Sequence, residues 1–234
     1  MRVAFFSPMP PARSGIADYS DALAGEMKKL IRLEIFSEAP REFDASGFDI
    51  AVYQLGNNPY HGFVYETALA HPGVVVLHEA NLHHLVKHLT VDRGDWDAYE
   101  RECEYDGGAA ALEHARQARA LVAGPDYTGV PMLRRVLENA RGVIVHSQYM
   151  VDEVRRAGFE GPLVRIPHGA WLAEADRWLW RDRLGAGPKD SLIGLFGFLK
   201  PYKRIPEALR AFRRLVRLEP RAKMILAGEP HPDL

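Results

Sequence analysis

The chain has 234 residues, 47% of them hydrophobic and 26% charged, with 30 basic side chains against 31 acidic ones for a net charge of −1. A chain of this make-up buries a real core in one or two domains. The even charge balance excludes the basic footprint of a nucleic-acid binder, and the supply of aliphatic and aromatic residues excludes disorder. The single cysteine, Cys103, rules out an intrachain disulfide and suits a reducing compartment. It lies in the acid-rich stretch Tyr99–Asp106, where carboxylates raise a thiol's pKa, so an inert thiol is expected. The apolar opening Val3–Phe6 ends at Ser7-Pro8, too short for a signal peptide, and no later run reaches the length of a membrane span. A cytoplasmic protein is expected.

Short apolar runs alternate with longer helical patterns. Val3–Phe6 reads as a buried strand, and Asp18–Leu30 as a helix with Tyr19, Leu23, Met27 and Leu30 on one face. Leu33–Phe36 and Asp49–Leu55 read as strands, the second broken by Gly56-Asn57-Asn58-Pro59, and His61–Ala70 as a helix. Val74–Leu77 has the continuous β-branched character of a strand covered on both faces. Helices are expected over Leu82–Leu89, over Asp95–Ala123 with an interruption near Gly107-Gly108, and over Val130–Asn139. Gly142–His146 is a strand, Gln148–Arg156 a helix ended by Gly158, and Leu163–Ile166 a strand stopped by Pro167. This alternation implies a doubly wound α/β domain with a parallel sheet over residues 1–170. Residues 171–190, with Trp171, Trp178, Trp180 and Gly185-Ala186-Gly187-Pro188, read as an interdomain connection containing a short helix. The rhythm restarts over 191–234, with strands Ser191–Phe196 and Ala222–Ala227 around a helix Ile205–Leu218. Two strands and one helix make an incomplete Rossmann-like domain, because they leave open edges and an uncovered face. The expectation is a truncated fragment of a longer protein, or else a tail packed on the first domain or on another copy.

Ligands of open parallel sheets bind beyond the C-terminal ends of the strands. After the first strand, Ser14-Gly15 leads into a helix. Gly15 permits close backbone approach and the helix N–H groups suit an anion, whereas a plain turn capped by Ser14 or Asp18 is the bland alternative. The turn is neither a dinucleotide fingerprint nor a phosphate-binding Walker loop. After Val74–Leu77 comes His78-Glu79-Ala80-Asn81-Leu82-His83-His84. His78 is followed by histidines five and six positions on, not the four of H-E-x-x-H, so no metal site is expected. His78 and Glu79 instead suit a sugar hydroxyl, as base or hydrogen-bond partner, with helix capping by Glu79 or Asn81 as the alternative. His83, His84 and His88 are assigned to a solvated face.

Ser147 is a good N-cap. Pro167-His168-Gly169-Ala170 is a tight turn that touches a ligand or simply reverses the chain. In Phe196-Gly197-Phe198-Leu199-Lys200-Pro201-Tyr202-Lys203-Arg204, two cations open a helix, an unfavourable arrangement for the helix dipole unless a phosphate rests there. A solvated basic turn is the alternative, since Arg210, Arg213, Arg214 and Arg217 continue the basic face. That face also suits a membrane surface, though an ordinary amphipathic helix accounts for it.

Taken in order, Ser14-Gly15-Ile16-Ala17-Asp18-Tyr19, Leu77-His78-Glu79, Val143-Ile144-Val145-His146-Ser147, Ile166-Pro167-His168-Gly169 and Phe196-Gly197-Phe198-Leu199-Lys200-Pro201-Tyr202-Lys203 resemble the group 1 retaining glycosyltransferases of GT-B fold. The resemblance implies transfer of a sugar from a nucleotide-diphosphate sugar to a sugar, lipid or small-molecule acceptor, with retention and without a cofactor or obligatory metal. It implies that the chain is the acceptor-side domain plus the start of the nucleotide-sugar domain. By this match Gly15 abuts the donor phosphates, His78 with Glu79 lies near the reacting sugar, and Lys203 neutralises the diphosphate, joined by Gly197, Lys200 and Arg204. Ser14, Asp18, Tyr19, Ser147, His168 and Gly169 are the candidate acceptor or sugar contacts. Phe198 stands where the family often has Arg after the glycine, a place that Lys200 or Arg204 would have to fill. The family's acidic E-x-x-x-x-x-x-x-E element lies beyond residue 234, so weak or absent turnover by this chain is expected. A non-catalytic binding fragment, another GT-B enzyme such as a nucleotide-sugar epimerase, and a metallohydrolase are the competing readings.

Overall fold

In the computed structural model, residues 1–170, 174–197, 199 and 203–229 are described. The chain divides into two compact units, Met1–Gly169 and Ala170–Leu234.

The first unit is a Rossmann-like α/β domain. Its strands are β1 (Arg2–Phe6), β2 (Arg32–Phe36), β3 (Ile50–Leu55), β4 (Val74–Leu77), β5 (Gly142–Val145) and β6 (Leu163–Arg165), all parallel, in the order β2-β1-β3-β4-β5-β6. Helices α1 (Gly15–Met27), α2 (Gly62–Ala70), α3 (His83–Leu89), α4 (Trp96–Arg119), α5 (Arg134–Asn139) and α6 (Gln148–Arg156) flank the sheet. From β1 the chain pairs first with β2 on one side, then crosses to β3 on the other. The crevice between β1 and β3 is therefore the topological switch point where such sheets take ligands.

The continuous apolar runs predict strands hidden on both faces, and the inner strands are so. Phe5, Phe6, Tyr53, Leu55, Leu77 and Val145 are fully buried. Phe6, Tyr53, Leu55, Leu77 and Val145 share one cluster with Val64 and Tyr65 of α2, Leu85 and Val86 of α3, Tyr99 and Cys103 of α4, and Met150 and Val154 of α6. Each large side chain withdrawn in this way contributes about 1.5–3 kcal/mol. The edge strands β2 and β6 remain partly exposed.

Two local differences from the sequence reading have clear causes. The helix expected from Val130 begins only at Arg134. Met132 adopts a left-handed φ of 58°, and the Asp106 carboxylate accepts from the amides of both Met132 and Arg134 at 2.8 Å. A side chain from α4 thus holds this segment in a turn. Helix α4 is broken as expected, at Gly108, where φ is 72° and ψ −161°. A non-glycine residue would be strained there. Cys103 is buried beside Tyr99, and burial, more than the nearby carboxylates, pushes its thiol up to about 11, so it is inert at neutral pH.

In the second unit, β7 (Ser191–Phe196) and β8 (Ala222–Ala227) pair in parallel, joined through α8 (Ile205–Leu218). The short α7 (Arg177–Arg183) is capped by Asp176, whose carboxylate accepts from the amides of Trp178 and Leu179. Arg181 of α7 is buried and donates to the carbonyls of Gly187 at 2.6 Å and Asp190 at 2.5 Å, tying 177–190 to the start of β7. Among the described residues, no helix is long and apolar enough to cross a membrane.

Candidate functional site

The residues that follow the strands of the first unit gather at the C-terminal edge of its sheet. Serine 7, the residue after β1, is buried with its hydroxyl 2.7 Å from that of Ser20, which anchors α1 against the strand end. Ser14 caps α1 by accepting from the amide of Ile16 at 3.3 Å. One turn into α1, Tyr19 projects its ring among three imidazoles. Its centroid lies 5.1 Å from that of His78, 5.5 Å from His146 and 4.7 Å from His168.

The strand register explains why these histidines meet. Leu77 of β4 pairs with Val145 of β5, so the next residues, His78 and His146, stand side by side with ring centroids 4.9 Å apart. His168 comes in from the turn after β6, 4.2 Å from His146 and 5.5 Å from His78. One ring nitrogen from each histidine lies within 4.8 Å of one from each of the others.

Two of the rings are fixed by the fold. The Nε2 of His78 lies 2.8 Å from Oε1 of Gln54, a buried side chain of β3, so this nitrogen donates and Nδ1 keeps the lone pair. The Nδ1 of His146 donates to the carbonyl of Ile166 at 2.8 Å, leaving Nε2 with the lone pair, buried and without a hydrogen-bond partner. Burial, then the positive charge that its neighbours His146, His168 and His61 would carry, lowers His78 to about 3. His168 is lowered by burial and by His146, and burial raises Tyr19. At neutral pH His78 is therefore a neutral hydrogen-bonding group and a lone-pair donor, and too weak a base to hold a proton for long.

The remaining expected residues fall in several places. Glu79 turns outward and accepts from the amide of Asn57 at 3.4 Å, which ties the loop after β4 to the loop after β3. Gly15 and Asp18 are exposed on the first turn of α1, and a Cβ at Gly15 would meet nothing within 4 Å. The turn is thus open to a ligand. Ser147 caps α6, accepting from the amide of Met150 at 3.2 Å, and Gly169 follows His168 on the exposed turn with open space at its Cα. In the second unit, Gly197 ends β7 with φ 100°, and the Lys203 ammonium lies 3.7 Å from where its Cβ would stand. Arg204 holds a left-handed φ of 53° just before α8. Lys200 lies outside the described residues.

His83 is a correction. The sequence places it on a solvated face, but it is fully buried, its Nδ1 2.7 Å from the carbonyl of Val130 and its Nε2 2.7 Å from the hydroxyl of Tyr99. It bolts α3 to α4, a structural task. His146 is the residue that sequence reading passes over in favour of Ser147. A signal was available, because V-V-V-L-H and V-I-V-H both end an apolar strand with histidine. Only the pairing of β4 with β5 makes them neighbours.

No protein-family model matches the chain, and no curated protein matches it.

Proposed function

We propose that the chain is the acceptor-side domain of a retaining glycosyltransferase of GT-B type, followed by the first elements of its nucleotide-sugar domain. The observation that carries this reading is the edge of the first unit's sheet. There the open Ser14–Gly15 turn starts α1, and Tyr19 one turn later packs on His78 beside the ends of β4, β5 and β6. A parallel sheet binds ligands at this edge, and the aromatic and imidazole rings supply stacking surface and hydrogen bonds for a polyhydroxylated ligand. In this reading His78, neutral at pH 7, accepts from an acceptor hydroxyl and orients it, and Tyr19 packs against a sugar face. The second unit adds a glycine turn with Lys203 alongside it, an arrangement suited to a diphosphate.

Calorimetric titration with UDP, GDP and ADP sugars, paired with glycosyl-transfer assays over a panel of acceptors, tests the proposal. The expected result is measurable nucleotide-sugar binding that Lys203→Ala weakens. Binding of none of the three nucleotide classes, or binding indifferent to Lys203→Ala, would refute it.

A further inference from the structure

We propose that His78, His146 and His168 form a binding site for one divalent transition-metal ion of the zinc, cobalt or copper class, with a coordination position left open to water. Metal binding needs neither donor nor acceptor, and an ion held here takes up the same His78 lone pair that an acceptor hydroxyl would otherwise engage.

The first support is geometric. A tetrahedral ion with metal–nitrogen bonds of about 2.0–2.1 Å holds its nitrogens about 3.3 Å apart. One nitrogen of each ring lies no more than 4.8 Å from one nitrogen of each of the other two, and closing by about 1.5 Å at most reaches that spacing by modest ring rotation. Two of the ligands sit on the ends of adjacent paired strands, which are stiff, and the third sits on an exposed turn that can adjust.

The second support is the hydrogen-bonding pattern behind the rings. Metal-bound histidines commonly donate their other ring N–H to a carbonyl or carboxylate, which fixes tautomer and orientation. His146 donates Nδ1–H to the Ile166 carbonyl, and His78 donates Nε2–H to the buried amide oxygen of Gln54. Each is left with one lone pair. For His146 that lone pair is on a buried nitrogen with no hydrogen-bond partner, and leaving a buried acceptor unmet is unfavourable. A coordinated cation removes that cost.

The third support is the donor set. Three imidazoles without a carboxylate favour zinc, copper, nickel or cobalt over magnesium or calcium, which want oxygen. Three protein ligands leave a fourth place for water, the arrangement of an open site. Tyr19, packed on all three rings, covers one side of the cluster.

The test is titration of chelator-stripped protein, carrying no polyhistidine tag, with Co(II), and then displacement by Zn(II). The expected result is saturation at one equivalent with visible d–d absorption, loss of that absorption on adding Zn(II), and no competition from Mg(II). His146→Ala and His168→Ala each lower the affinity by about tenfold or more. His168 is exposed, so its variant keeps the fold even if His146→Ala does not, and circular dichroism checks both. His114→Ala, outside the cluster, leaves binding unchanged. Absence of a saturable cobalt spectrum, undiminished affinity in folded His168→Ala, or an equal loss in His114→Ala would overturn the proposal.

Discussion

The two units repeat one motif, parallel strands joined through helices, with different outcomes for burial. In the first, Phe5, Phe6, Leu55 and Leu77 are wholly buried. In the second, β7 and β8 keep most of their residues partly or fully exposed, Phe196 is 72% exposed, and α8 contains no buried residue. An apolar strand is thus a local property, whereas a core requires layers on both sides. Six strands with their crossover helices supply those layers, and the β7–α8–β8 unit does not.

Truncating one apolar side chain in each unit tests this contrast directly. Leu77→Ala, in the buried sheet, should cost about 2–5 kcal/mol of unfolding free energy in urea titration, while Phe196→Ala should change it by under about 0.5 kcal/mol. Comparable losses from the two would mean that the second unit is as well packed as the first.

Acid should separate the units next. Burial lowers His61 from its ordinary 6.5 to about 4 and lowers His83 as well. Between those values the unfolded chain binds a proton that the folded chain refuses. The stabilisation is therefore complete above pH 6.5 and is lost as pH falls toward 4, with about 3 kcal/mol at stake for His61. The second unit's only histidine, His231, lies outside the described residues. His78, lowered to about 3, adds to this loss. Hydrogen exchange at pH 7 and pH 4.5 should show protection falling chiefly in 1–169, and His61→Phe should reduce the dependence by the share that His61 contributes. Equal loss of protection in both units would count against the assignment.

Single turns in the two units give smaller shifts. A Cβ at Gly228 would stand 1.9 Å from the carbonyl oxygen of Gly197. Gly228→Ala should therefore separate the ends of β7 and β8 at a cost of about 1–3 kcal/mol, read by thermal unfolding. Gly15→Ala, with open space around it, should leave stability nearly unchanged, so any loss of ligand binding would report direct approach at that turn. Ser147→Ala removes only a cap and should cost about 1 kcal/mol. A much larger loss would point to a further role.

Much of the fold was legible because its signals are local. Val74–Val75–Val76–Leu77 cannot expose so many β-branched and aliphatic groups and so reads as an inner strand, and Gly108 breaks α4 where glycine marks the break. The start of α5 was not legible, because Asp106 is far away in sequence from the amides that it captures. The burial of His83 escapes local reading for the same reason, since its partners Val130 and Tyr99 arrive from other elements.

Local signals suffice for the alternation of strand and helix, the turn at Ser14–Gly15 and the strand-end positions of His78 and His146, because side-chain periodicity and turn chemistry act over a few residues. The meeting of these two histidines and His168 around Tyr19 comes from the assembled sheet. Strand order and register are set by burying the whole sheet at once, and that collective choice brings together residues that no local pattern connects.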